Sequence, residues 1–132
     1  MLNEIRNDRP ADARFFPCPA SIVSGQPVLI GALAGVALDS YNPNSGGTVF
    51  RLAGSYALTV VGQSAESPVV NAQINPGDKI YATGTLDATT NVTYNLTLDK
   101  NSSNTLFGSL DDVKILAGVT NTAAIVKLKE AA

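Results

Sequence analysis

A chain of 132 residues suits one compact domain, large enough for a real core and too small for two comfortable ones. Its composition, 45% apolar and 15% charged, is that of neither a disordered nor a collagen-like chain, and a net charge of −2 with no basic run offers nucleic acid or an anionic membrane little to hold. A single cysteine, Cys18, and no histidine exclude an intramolecular disulfide, the usual zinc sets and any His-based triad.

The charges open the chain. Six of the twenty fall between Glu4 and Arg14, alternate in sign and sum to zero. With Pro10 and few large apolar groups, residues 1–14 do not pack a core and read as an extended N-terminal arm. Leu2, Ile5, Phe15 and Phe16 are its apolar pegs, to be pressed into a neighbour, or else the two Phe enter the domain's own core. Residues 15–132 form the β domain.

From Phe15 to Leu38 there is no charge at all. A membrane span needs about 20 predominantly apolar residues, yet the continuous run is only Val28 to Leu38, behind Pro17, Pro19 and Pro27. The acidic residues ahead of it, Glu4, Asp8 and Asp12, do not suit a signal peptide, so neither a membrane span nor export by the usual route is expected. The stretch reads as a buried hairpin whose faces are covered or meet protein, with Cys18 a small buried hydrophobe.

Short apolar runs punctuated by turn residues follow. Val28–Ile30 comes first, then Gly31 and Gly35 bracket a turn before Val36–Leu38. "NPNSGG" at Asn42–Gly47 is a loop by composition, and Thr48, Phe50 and Leu52 alternate against Val49 and Arg51 at the strand period of two. "SYALTVV" is a further strand. Pro76-Gly77 turns into Lys79–Thr83, and Val92, Tyr94, Leu96 and Leu98 share a face opposite Thr93, Asn95 and Thr97. Ala124, Val126 and Leu128 alternate with Ile125 and Lys127 in the last strand. At most one helical turn is expected, near Ala65–Val70 or Leu116–Gly118. The domain is therefore mostly β. "GQPVLIG" at Gly25 echoes "GDKIYATG" at Gly77, and "GVALD" at Gly35 echoes "GSLDD" at Gly108. Either two β-units share one plan and close into a barrel-like core, or common turn chemistry repeats.

Catalytic motifs are sparse. Neither a phosphate-binding P-loop nor a dinucleotide glycine pattern is present, and no calcium-loop spacing exists. Asp111 and Asp112 are adjacent and would diverge in a strand, whereas Asp39, Asp78, Asp87 and Asp99 sit beside turns, where Asp caps backbone. The N-x-[ST] triplets at Asn91, Asn95 and Asn101 read as polar strand and loop positions. No cofactor, metal or catalytic residue is expected.

The order "GQPVLIG", "AGVALD", "VFRLAGSYAL", "INPGDKIYATG", "LFGSLDD", "AAIVKLK" resembles the family of small phage capsid cement, or head decoration, proteins over about residues 20 to 130. Gln26 departs from an acidic residue usual there, Ser55-Tyr56 replaces a simpler step after Gly54, and Leu86–Thr105 carries no family feature. The resemblance implies a β-tulip-like domain and a homotrimer on the outer capsid surface of a virion, made in the host cytoplasm. Its partner would be the major capsid protein, whose subunit contacts it stabilises without catalysis. The arm would add to a capsid sheet, making Leu2, Ile5, Arg6, Arg9, Arg14, Phe15 and Phe16 the interface candidates. The alternative is a carbohydrate-binding or tail/baseplate β domain, with Tyr41 as the exposed aromatic platform.

Overall fold

The computed structural model describes residues 13–66, 68–120 and 122–129. They form an all-β domain. In chain order the strands are β1 (Ala13–Pro17), β2 (Pro27–Ile30), β3 (Leu33–Ala37), β4 (Gly47–Arg51), β5 (Ser55–Val60), β6 (Gln63–Glu66), β7 (Val69–Asn71), β8 (Lys79–Asp87), β9 (Val92–Asp99), β10 (Thr105–Leu110) and β11 (Thr122–Leu128). Nine of them make one antiparallel sheet, ordered β1-β4-β3-β2-β9-β8-β10-β11-β5, and β6-β7 stand apart as a two-stranded sheet. Near Ala65–Val70, one of two places where at most a helical turn was expected, the chain makes this hairpin: Ala65 pairs with Val70 and Glu66 with Val69.

The large sheet does not close as a ladder. Its β5 end nevertheless curls back onto β9, where the Val61 N–H donates to the Leu98 carbonyl at 2.8 Å. Next to that contact the Gln63 amide donates to the buried Asp99 carboxylate at 2.8 Å, and the Asn101 N–H donates to its other oxygen at 3.0 Å. Asp99 is fully buried, and these donors offset part of its desolvation.

Two hydrophobic cores result. The larger holds Leu29, Val36, Leu58, Val60, Ile80, Leu98, Phe107, Leu110 and Val126, among others; the smaller holds Cys18, Ile22, Val28, Ala37, Phe50, Leu52 and Val92. The β2-β3 hairpin divides its residues between them, Val28 and Ala37 to one and Leu29 and Val36 to the other. Both faces of this hairpin are covered, which accounts for its lack of charge; elsewhere in the uncharged stretch Phe15, Val23 and Leu38 are exposed. Its turn is Gly31-Ala32, with Ile30 paired to Leu33. Gly35, expected in a turn, lies inside β3, where a Cβ would stand 3.3 Å from the Arg51 carbonyl. Close strand approach, not turn geometry, favours glycine there.

Strand β8 runs on past Thr83 to Asp87, and β9 carries a bulge against it. Thr83 pairs with Thr97 and Thr85 with Tyr94, so Asn95 and Leu96 together oppose Gly84. Asn95 takes φ 53°, a left-handed conformation that Asn tolerates. The extra residue reverses the side-chain parity of the strand. Val92 and Tyr94 therefore pack with the smaller core and Leu96 and Leu98 with the larger, instead of sharing one face as the alternation predicts.

The two echoed units take matching places about β9. Strands β2 and β8 flank it, both antiparallel to it, and β3 and β10 lie next outward. Equivalent residues Val28 and Ile80 enter different cores, as do Ala37 and Leu110. The chain path differs, however: β2 and β3 are joined by a direct hairpin, whereas β9 intervenes between β8 and β10.

Candidate interaction surface

Strand β1 is the outer strand at one end of the sheet. Its residues pair with β4 on one side only: Arg14 with Phe50, Phe15 with Val49, Phe16 with Thr48. Among the described residues the other side has no strand partner. An unpaired edge presents a row of backbone donors and acceptors to any strand laid against it. Pro17 ends the strand and limits that row, since proline contributes no N–H.

Period two separates the aromatic pair. Phe16 turns inward and is half-buried, its ring 6.3 Å from that of Phe50. The Arg14 guanidinium lies over the same Phe16 ring, 5.8 Å from its centroid, a contact worth about 0.5–1 kcal/mol at an exposed site. Phe15 faces out and keeps 48% of its surface exposed. It forms one wall of a groove of about 260 Å³ whose other walls include Asp39, Asn42, Ser45, Thr48 and Val49. The loop behind this groove is fixed locally: Asn42 accepts from the Asn44 N–H at 2.9 Å, and the Thr48 hydroxyl donates to the Asp39 carbonyl at 3.1 Å.

Of the sequence-predicted interface residues, the structure brings Arg14, Phe15 and Phe16 together on β1. Ala13 and Arg14 thus belong to the sheet. Leu2, Ile5, Arg6 and Arg9, and the extended arm up to Asp12, lie outside the described residues. Tyr41, the aromatic that a sugar platform would need exposed, is half-buried against the smaller core. Cys18 is buried nearby, and that burial pushes its thiol pKa up.

The carboxylates act on backbone. Asp78 accepts from the Asn75 N–H at 2.8 Å and pairs with Lys100 at 3.2 Å, which together hold its pKa below the usual carboxylate range. Asp112 accepts from the Ile125 and Val113 N–H groups and is lowered for that reason. Asp87 receives the Thr90 hydroxyl at 2.7 Å. Among the described residues no group of three or more acidic or cysteine side chains is placed to hold a metal, and no helix is long and apolar enough to cross a membrane.

A second surface escapes sequence reading. Lys79, Lys127 and Lys129 line one groove with Leu106, Gly108 and Ser109, on the outward side of β8, β10 and β11. The only local signal is the "KLK" spacing at Lys127 and Lys129, which places two ammonium groups on one strand face.

Fold and surface together define the class: a small all-β domain whose edge strand β1 has no outer partner among the described residues, with outward-facing grooves. No family model matches the chain, and neither a curated protein nor a solved structure is similar to it.

Proposed function

We propose that this chain is a structural virion protein, a capsid cement protein that binds the outer capsid surface and stabilises contacts between major capsid protein subunits. One observation carries the reading: the strand reached directly from residues 1–12, whose charges alternate in sign, has no strand partner on its outer side among the described residues, and its Phe15 is exposed beside a groove. Strand addition at such an edge gives affinity through main-chain hydrogen bonds and specificity through seated side chains. The order of turn-and-strand units that resembles head decoration proteins supports the same reading, as does the matching placement of the two units about β9. In this role the protein works as a homotrimer. Each contact is modest, and simultaneous engagement of several capsid chains raises avidity.

The test is decoration of expanded capsids built from a major capsid protein of the same genome. The wild-type protein is expected to bind saturably at threefold positions and to raise capsid resistance to heat. Phe15→Glu is expected to abolish decoration while leaving the melting temperature of the free domain unchanged. Absence of wild-type binding, or undiminished binding by Phe15→Glu and by a chain lacking residues 1–12, refutes the proposal. Saturable binding to tails or baseplates in place of heads moves the protein to the tail.

A further inference from the structure

Three of the chain's five lysines meet in one groove of about 310 Å³. Ser109 on β10 pairs with Lys79 of β8 on one side and with Lys127 of β11 on the other. Lys79, Ser109 and Lys127 therefore form a row across three adjacent strands, spanning roughly 10 Å at the usual strand spacing. Lys129 lies two residues beyond Lys127, on the same face. Gly108 is packed tightly against β11 between them, where a Cβ would collide with the Lys127 carbonyl.

Nothing described neutralises these charges. Among the described residues the ion pair is Lys100 with Asp78, elsewhere on the surface. Clustering three ammonium groups is repulsive, and on a chain of net charge −2 it is not a by-product of general basicity. The twin unit sharpens the point. In β2 and β3 the residues equivalent to Tyr81 and Ser109 are Leu29 and Val36, and both are buried in the larger core. On the same face of β8 and β10, Tyr81 and Ser109 are only half-buried, and the exposed Lys79 and Lys127 stand at its margin.

We infer that this groove binds an acidic polypeptide segment of a partner protein. An extended segment presents alternate side chains roughly 7 Å apart, the repeat expected between Lys127 on β11 and Lys129 just past its end, where the Lys129 N–H still donates to the Phe107 carbonyl at 2.9 Å. Carboxylates at that spacing reach these two ammonium groups, with Lys79 and the Ser109 hydroxyl supplying donors across the strands. Nucleic acid fits less well. Its affinity grows with the number of phosphates neutralised, the row is short, and the exposed Asp111 follows two residues after Ser109. The inference does not depend on the capsid reading.

Titration of the full chain with hexaglutamate, followed by amide and lysine NMR shifts, tests it. Saturable shifts are expected at Lys79, Ser109, Lys127 and Lys129, weakening as salt rises. The triple variant K79Q/K127Q/K129Q is expected to bind roughly tenfold more weakly, and K114Q as well as wild type. Both variants should keep the native spectrum elsewhere, which separates loss of binding from loss of fold. Absence of saturable shifts, shifts centred elsewhere, or wild-type affinity in the triple variant overturns the proposal. So does displacement of hexaglutamate by equimolar inorganic phosphate, or tighter binding of a short DNA duplex, either of which makes the ligand a phosphate.

Discussion

Asn91 and Asn95 sit at φ 62° and 53°, where most side chains meet steric cost. Both belong to N-x-[ST] triplets, and the structure gives them a backbone role: Asn91 closes the β8-β9 turn, its N–H donating to the Asp87 carbonyl at 2.7 Å, and Asn95 forms the bulge. The glycines opposite such features are equally constrained. A Cβ on Gly84 would strike the Tyr94 carbonyl, and one on Gly108 the Lys127 carbonyl. Gly108→Ala is expected to destabilise the domain by about 1–3 kcal/mol, the usual cost of forcing extra volume into packed strands, measured by urea denaturation. Acid stability should follow Asp78 and Asp112. Both pKa values are depressed in the fold, so their contribution is present above the ordinary Asp value of about 3.9 and is lost as pH falls through the lower folded values. Asp78→Asn and Asp112→Asn should therefore lower the melting temperature at neutral pH and leave it nearly unchanged well below that value. An equal loss at all pH values would show that the carboxylate charge is not the cause.

Strand β1 shows how an element boundary changes an experiment. Read from composition, the arm ends at Arg14; in the sheet, Ala13 already pairs with Arg51 and Arg14 covers Phe16. Removing residues 1–12 is expected to leave the melting temperature of the free domain within a few degrees of wild type. Removing residues 1–17 takes away β1 and exposes Phe50 and Thr48, and is expected to lower it by roughly 5–10 °C. Differential scanning calorimetry of the two truncations measures the difference. Equal losses would mean that residues 1–12 pack against the domain. The β9 bulge has the same character at element scale, since one additional residue lets a single strand serve two cores.

For the molecule as a whole, the long sheet ends in β1, whose outer side has no strand partner among the described residues, and in β5, which is partly closed against β9. Assembly is where the proposed function makes its strongest demand. Light scattering is expected to give a mass of three chains, or of one chain in solution with threefold density appearing on capsids. A stable dimer with no threefold density contradicts it. Because decoration draws on several simultaneous contacts, Phe15→Glu should reduce it far more steeply in the assembled state than for a single immobilised capsid hexamer.

The all-β class, the main turns and most strand positions were legible in the chain itself. Alternation at period two and Asn, Pro and Gly at turns are local properties that each segment carries wherever it packs. The absence of charge from Phe15 to Leu38 likewise foretold a hairpin buried on both faces. Strand neighbours were not legible, because a strand shows which of its faces is apolar and not which distant strand covers it. Three outcomes therefore belonged to the tertiary structure. The bulge at Asn95 split a face that reads as continuous, β1 took the outer position beside β4, and Lys79 met Lys127 and Lys129 across β10. Each depends on pairings between segments far apart in the chain, which are selected by how the whole sheet packs around its two cores.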